Sequence, residues 1–266
     1  MKMTQSKDLI SVTLNADELW FLAQFFAPGL IFGVDDPTEG LDEDALEVFK
    51  ASAYESLNQA GVLEMETPDQ FRMDEMLGAM VYSCVHSTDM LVLKSPNSQE
   101  ERFYHFLPEW QLELSRVEEG HALTLFKERS DLFDHILGLS GVKLQGEDDN
   151  LAFSSSERDL ELGAYLYESG KTDQALEMFT ADIADQAKVI DFIQGYIAPE
   201  LHLVFDMLYD RDDDVKIHDR RFELLQTGGG LYWLTHDQAG EESLPIVIIQ
   251  GITPEDAKKL FDTILP

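Results

Sequence analysis

Cysteine occurs once, at Cys84, so the chain has no internal disulfide framework, which suits a reducing compartment. No run of eighteen apolar residues is present, which excludes a transmembrane helix. Residues 1–8 lack an apolar signal-peptide core, and the expectation is a cytoplasmic protein. Basic residues are scarce: 19 Lys plus Arg stand against 52 acids, for a net charge of −33. Phosphate backbones and anionic lipid repel such a surface, so nucleic-acid binding and membrane insertion are not expected. The acids are scattered and not gathered in one tail. They fit plain solubility, or attraction of a basic partner, including mimicry of a nucleic acid towards a basic protein.

Signatures of chemistry are also missing. None of the seven histidines, His86, His105, His121, His135, His202, His218 and His236, lies three or four residues from another, so no helix offers two imidazoles to one metal. Asp210, Asp212 and Asp214 alternate like a calcium loop. Val215 and Arg221, however, occupy the positions that need a glycine and a bidentate glutamate. Thr227-Gly228-Gly229-Gly230 lacks the Lys and Ser/Thr of a phosphate loop, and its glycines are expected to supply positive φ in a turn. Cys84 and His86, two apart, diverge on a helix, and no Gly-x-Ser-x-Gly elbow exists. The expectation is a binding protein without catalysis, metal or cofactor.

What the chain does hold is 44% hydrophobic residues over 266 positions, enough for one large core or two smaller ones. Residues 201–209, 215–226, 231–236 and 244–249 read as an antiparallel meander. Thr253-Pro254-Glu255-Asp256 then opens a helix with an N-cap, a first-position proline and an acid at the third position. Ala257, Leu260, Phe261 and Ile264 form its apolar face. The plan recurs earlier, with strands near 90–94, 103–106, 110–116 and 121–126 and a helix over 131–139. Upstream, Val12–Leu14 is strand-like, and Asn15 with Glu18 caps a helix whose apolar face Trp20 and Phe25 widen. A second helix buries Leu46, Phe49, Ala53 and Leu57, and a hairpin about Pro68-Asp69 completes a winged-helix outline. Lys50 is that helix's only base, which argues for a packing unit and against a DNA reader. Over 76–85, either Met76, Met80 and Cys84 or Leu77, Val81 and Cys84 face inward.

The predicted fold class is therefore α+β, an antiparallel meander plus helices repeated in a quasi-two-fold manner after a winged-helix-like segment. Its halves span residues 1–140 and 157–266, joined by a mobile linker over 141–156 that carries Gly146-Glu147-Asp148-Asp149-Asn150 and three serines. Leu162, Gly163, Leu166, Gly170, Ala175 and Phe179 fit the spacing of one tetratricopeptide hairpin. A single copy makes no solenoid, which leaves a packed helical hairpin or a peptide groove.

Thr13-Leu14-Asn15-Ala16-Asp17-Glu18-Leu19-Trp20, the Gly228–Trp233 strand, Pro245–Ile249 and Thr253–Ala257 together resemble the EspG-type cytoplasmic chaperones of type VII secretion. Phe32-Gly33-Val34-Asp35-Asp36-Pro37 resembles the EsaE-type chaperones of Gram-positive bacteria, which attend toxins. The acidic first connection and the tetratricopeptide-like hairpin depart from that pattern. The resemblance implies a non-enzymatic adaptor without cofactor. It would bind a helical type VII substrate, of WXG100 or LXG type or a toxin, and deliver it to the secretion machinery. Partner contacts are expected at the turn 95–100, at Pro96 and Asn97, and along the helical region 156–197. The alternative is an acidic immunity or inhibitor protein that neutralises a basic nuclease toxin. An enzyme with an unrecognised site is the third reading.

Overall fold

The computed structural model describes residues 2–5, 9–27, 31–67, 70–96, 100–126, 128–146, 151–179, 186–210, 216–237 and 246–266. The chain is α+β and forms two compact units, Met1–Leu91 with Glu100–Arg129, and Val92–Gln99 with Ser130–Pro266.

The first unit begins with β1 (Lys2–Gln5), β2 (Leu9–Leu14), α1 (Ala16–Ala23) and α2 (Glu43–Gln59). The hairpin β3 (Leu63–Thr67) and β4 (Gln70–Met73) and the helix α3 (Glu75–His86) follow. Then come β5 (Asp89–Lys94), whose residues from Val92 on belong to the second unit, β6 (Glu101–Phe106), β7 (Gln111–Val117) and β8 (Gly120–Phe126). Its sheet is ordered β1-β2-β8-β7-β6-β5, with antiparallel pairing from β1 through β6. Because strand side chains alternate, register sets which ones share a face. Val12, Leu123, Leu114 and Phe103 lie opposite one another across four strands, and all four are buried.

Helix α1 starts where the sequence places it. Asn15 Oδ1 accepts from the Glu18 amide at 2.8 Å, and Glu18 Oε2 accepts from the Asn15 amide at 3.0 Å, a complete capping box. The second Glu18 oxygen accepts from Ser56 Oγ on α2 at 2.6 Å, so one buried carboxylate starts one helix and anchors another. On α2 only Ala53 and Leu57 are fully buried. The inward face of α3 takes in Leu77, Met80, Val81, Ser83 and Cys84, while Met76 stays exposed.

In the second unit, α4 (Ser130–Ser140), β9 (Ala152–Ser156), α5 (Glu157–Glu168), α6 (Thr172–Glu177) and α7 (Gln186–Ile197) precede the meander. The meander consists of β10 (Leu201–Asp210), β11 (Lys216–Gln226), β12 (Leu231–Asp237) and β13 (Ile246–Gly251), and α8 (Pro254–Ile264) closes it. The order is β10-β11-β12-β13-β9, antiparallel throughout. Segment 141–156 is not a free linker where it is described. Gln145 N donates to Gln226 Oε1 at 2.8 Å, and residues 152–156 pair with β13. Ala-Phe-Ser-Ser-Ser carries little strand propensity; pairing to an exposed sheet edge makes it a strand.

Helices pack on both faces of this sheet, though Ile246 and Ile248 of β13 stay exposed. Leu225, Tyr232, Leu234, Val247 and Ile249 pack with Val189, Phe192 and Ile193 of α7 and with Leu160 of α5. On the other face Phe205 stacks with Trp233 at 6.0 Å between ring centroids and meets Phe261 of α8 edge-on at 5.3 Å. Phe261 also lies 5.1 Å from Phe133 of α4. Thr253 Oγ1 accepts from the Asp256 amide at 3.2 Å and sets the start of α8, with Pro254 in its first turn. Phe261 has no solvent exposure, so Phe261→Ala leaves a cavity between α4, α8 and the sheet. The expected cost is about 3–5 kcal/mol, read as a lowered urea midpoint with an unchanged slope.

Candidate docking surfaces

Of the two residues expected to meet a partner, Pro96 is exposed on the turn after β5, and Asn97 lies outside the described residues. The end of β5 is fixed from within. Lys94 Nζ is 3.4 Å from Asp206 Oδ2, and Arg221 Nε donates to Asp206 Oδ1 at 2.8 Å. Asp206 is fully buried, so both cations are needed to offset its lost hydration.

The helical region brings together part of the set read from its spacing. Gly163, Ala175 and Phe179 are buried, and a side chain on Gly163 would meet the Phe179 ring at 2.3 Å. Glycine at 163 is thus what lets α5 close on the segment after α6. Gly170, at φ +76, makes the turn between the two helices in a conformation that other residues adopt at a cost. Leu162, expected in the hairpin, is instead exposed, and Tyr165 three residues on is 64% exposed. This outward face was missed because Leu162 fits the spacing of a buried hairpin position. The legible signal was the surrounding charge, since Glu161 and Glu168 mark the same helix as solvent-facing.

The glycine turn is closed to phosphate, since Thr227 Oγ1 accepts from the amides of Gly229 and Gly230 at 3.1 and 3.0 Å. Its glycines are not at positive φ, contrary to expectation, and for Gly230 the constraint is space. A Cβ on Gly230 would sit 2.9 Å from the Tyr232 hydroxyl. Gly195 of α7 answers the same turn, because a Cβ there would overlap Thr227 Cγ2 at 1.9 Å.

Three histidine and glutamate side chains far apart in sequence meet on the sheet face below α5 and α7. Glu223 Oε2 is 2.6 Å from His202 Nε2, and Glu223 Oε1 is 2.7 Å from His236 Nε2. The first contact is a hydrogen bond; the second is close but misaligned for one. His236 Nδ1 lies 3.9 Å from Glu157. Among the described residues no group of three or more histidine, cysteine or carboxylate side chains is arranged to hold a metal ion. Both oxygens of Glu223 are engaged by imidazoles, which makes the cluster a polar cross-brace between strands. Burial, with the Glu223, Glu161 and Glu157 charges, raises the nearby Tyr196 phenol well above its ordinary range, so it stays neutral.

Burial alone would raise the Glu223 pKa, but the two imidazoles outweigh it and hold the carboxyl down at about 2, against an ordinary 4.5. A carboxyl depressed on folding stabilises the protein above its unfolded pKa. That contribution is lost as pH falls from about 4.5 towards 2. The shift corresponds to roughly 3 kcal/mol. The difference in unfolding free energy between the wild type and Glu223→Gln should therefore be full above the ordinary 4.5 and shrink through that acid window, as measured by urea unfolding at each pH.

No protein-family model matches the chain, and no curated protein matches it. Among solved structures it is similar to the type VII secretion system chaperone EspG5 of Mycobacterium tuberculosis, determined in complex with a PE25–PPE41 dimer. The similarity covers 96% of this chain and 97% of that one, with a TM-score of 0.62 and 13% sequence identity. Resemblance at the termini and likeness along nearly the whole length thus agree, and the chain has the fold of an EspG-type chaperone.

Proposed function

We propose that the protein is a non-enzymatic cytoplasmic chaperone of type VII secretion that binds a helical secreted protein, of WXG100 or LXG type or a toxin, and keeps it soluble for export. The observation that supports this is the end-to-end fold similarity to EspG5, whose structure was solved on a PE25–PPE41 dimer. An export substrate built as an amphipathic helical bundle offers apolar knobs that aggregate unless a partner covers them. Tyr165 and Leu162 on the outer face of α5, with Pro96 on the turn after β5, are the residues assigned to that task. Aromatic anchors ringed by charge are how protein interfaces concentrate affinity. The acidic surface adds long-range attraction for a basic toxin and repulsion between chaperone copies.

The test is co-expression of the full chain with helical secretion substrates from its own host, followed by size-exclusion chromatography and titration of the purified pair. A complex held through the helical targeting region is expected, with Tyr165→Asp combined with Leu162→Asp weakening it about tenfold or more. Capture of a nuclease domain in place of the targeting helices would replace this reading with the acidic immunity protein.

A further inference from the structure

The first unit carries an apolar groove that has no part in the surfaces above. Phe25 and Phe26, just beyond α1, form one wall. Phe71 and Met73 of β4 form another, and Gly78, Ala79 and Tyr82 of α3 complete it around about 430 Å³. That volume is in the range of real binding clefts, roughly 300–1,000 Å³.

The groove is built and not a fold defect. Phe25 meets Phe71 edge-on at 5.1 Å, Phe71 meets Tyr54 of α2 at 6.0 Å, and Phe26 meets Tyr82 at 5.8 Å. These contacts hold the walls in place while Phe25, Phe71 and Tyr82 remain 36–43% exposed. The floor is made of the two smallest residues on α3. A methyl on Gly78 would already stand 3.3 Å from Met73 Sδ, so a longer side chain there would fill the space. Glu75, Gly78, Ala79 and Tyr82 follow the i, i+3, i+4, i+7 rule, so the floor and far wall are one helical stripe. Strand alternation sends Arg72 to the opposite face of the hairpin, where it pairs with Glu64.

An exposed apolar patch of this kind marks an interaction site, and charge decides its occupant. The only charged residues lining the groove are Asp74 and Glu75, both acids. Between residues 17 and 86, acids outnumber bases fifteen to two, the bases being Lys50 and Arg72. A second copy of the chain would bring its own net charge of −33 against these carboxylates, which disfavours self-docking. A small apolar ligand is a poor match for an open trough with no polar groups other than two carboxylates to orient it. We propose that this groove docks an amphipathic helix of a partner protein, with its apolar face against Phe25, Phe71 and Tyr82 and lysine or arginine flanks against Asp74 and Glu75. The inference rests on the first unit alone and does not require the chaperone reading.

The experiment uses the full chain and a fluorescent synthetic helix of about 18 residues, five turns long. It carries leucines at i, i+3, i+4 and i+7 and lysines on both flanks, and its control has glutamates in place of the lysines. Fluorescence anisotropy should show saturable binding of the lysine peptide and binding of the glutamate peptide weaker by about tenfold or more. Phe71→Ser and Tyr82→Ser, both at partly exposed positions, should each cost a similar factor while leaving the far-ultraviolet circular dichroism unchanged. Gly78→Leu, by filling the floor, should do the same. Equal affinity for the two peptides, no binding of the lysine peptide, or binding indifferent to all three substitutions would overturn the proposal. So would sedimentation of the wild type as a dimer that Phe71→Ser converts to a monomer, which would identify a second copy as the occupant. No secretion substrate is involved, so a negative result leaves the chaperone reading to its own test.

Discussion

Asp206 is a carboxylate with no access to water in the middle of a strand, and the arrangement of the second unit follows from what it requires. A buried charge left alone is among the most costly features a fold can carry, several kcal/mol after relaxation. Arg221, directly opposite on β11, supplies a bidentate partner, and Lys94 supplies a second cation from the end of β5. Sequence places Lys94 more than a hundred residues from Asp206, so this ion pair ties the end of β5 to β10 within the second unit. Pro96, two residues on, inherits its position from that anchor. The solvent-facing turn is thus placed by an interaction that faces away from solvent.

The same constraint explains the glutamate and its two histidines. Where helices cover both faces of the sheet, the polar-out alternation of a half-exposed sheet is lost, as in β12, whose Leu231, Tyr232, Trp233 and Leu234 are all buried. Where a charge persists, it must find its partners on neighbouring strands. Glu223 does so with His202 on β10 and His236 on β12, binding three consecutive strands side by side. Above them α7 can lie close to the Thr227 turn only because residue 195 has no side chain. The helix layer is therefore held low over the sheet. Phe192 reaches Tyr232 at 5.1 Å, and α5 is left with its outer face, not its inner one, free for Tyr165.

Much of this was legible in the sequence. The eight meander strands and the closing helices follow from alternating apolar residues between turn signals. The helix starts at Asn15 and Thr253 follow from side-chain oxygens placed three residues before an amide they accept from. What could not be read is whatever depends on a distant partner. Ala152–Ser156 has the composition of a loop and is a strand because β13 offers an unpaired edge. Gly195, Gly163 and Gly230 look like flexibility or turns, yet each is small because another side chain occupies the space where a Cβ would be. The groove was hidden for the opposite reason. Phe25, Phe71 and Tyr82 have the residue types and periods of core positions, and local pattern cannot distinguish a core face from a face that waits for another molecule.

That ambiguity is informative when set beside the charge. A protein that exposes Phe25, Phe71, Tyr82 and Tyr165 invites association with its own copies, the usual fate of apolar surface in a crowded solution. Placing those rings on a chain with 52 acids and 19 bases changes the outcome. Every encounter between two copies is opposed by like charge within the Debye length, about 8 Å at physiological ionic strength. Encounters with basic or neutral helices are not opposed. Charge then acts as the selectivity filter and apolar contact as the source of affinity, a division of labour in which repulsion of the wrong partner matters as much as attraction of the right one. A protein with such exposed rings has a physical reason to be this acidic. Neutralising exposed acids while leaving the aromatics in place would remove the filter before it removed the affinity.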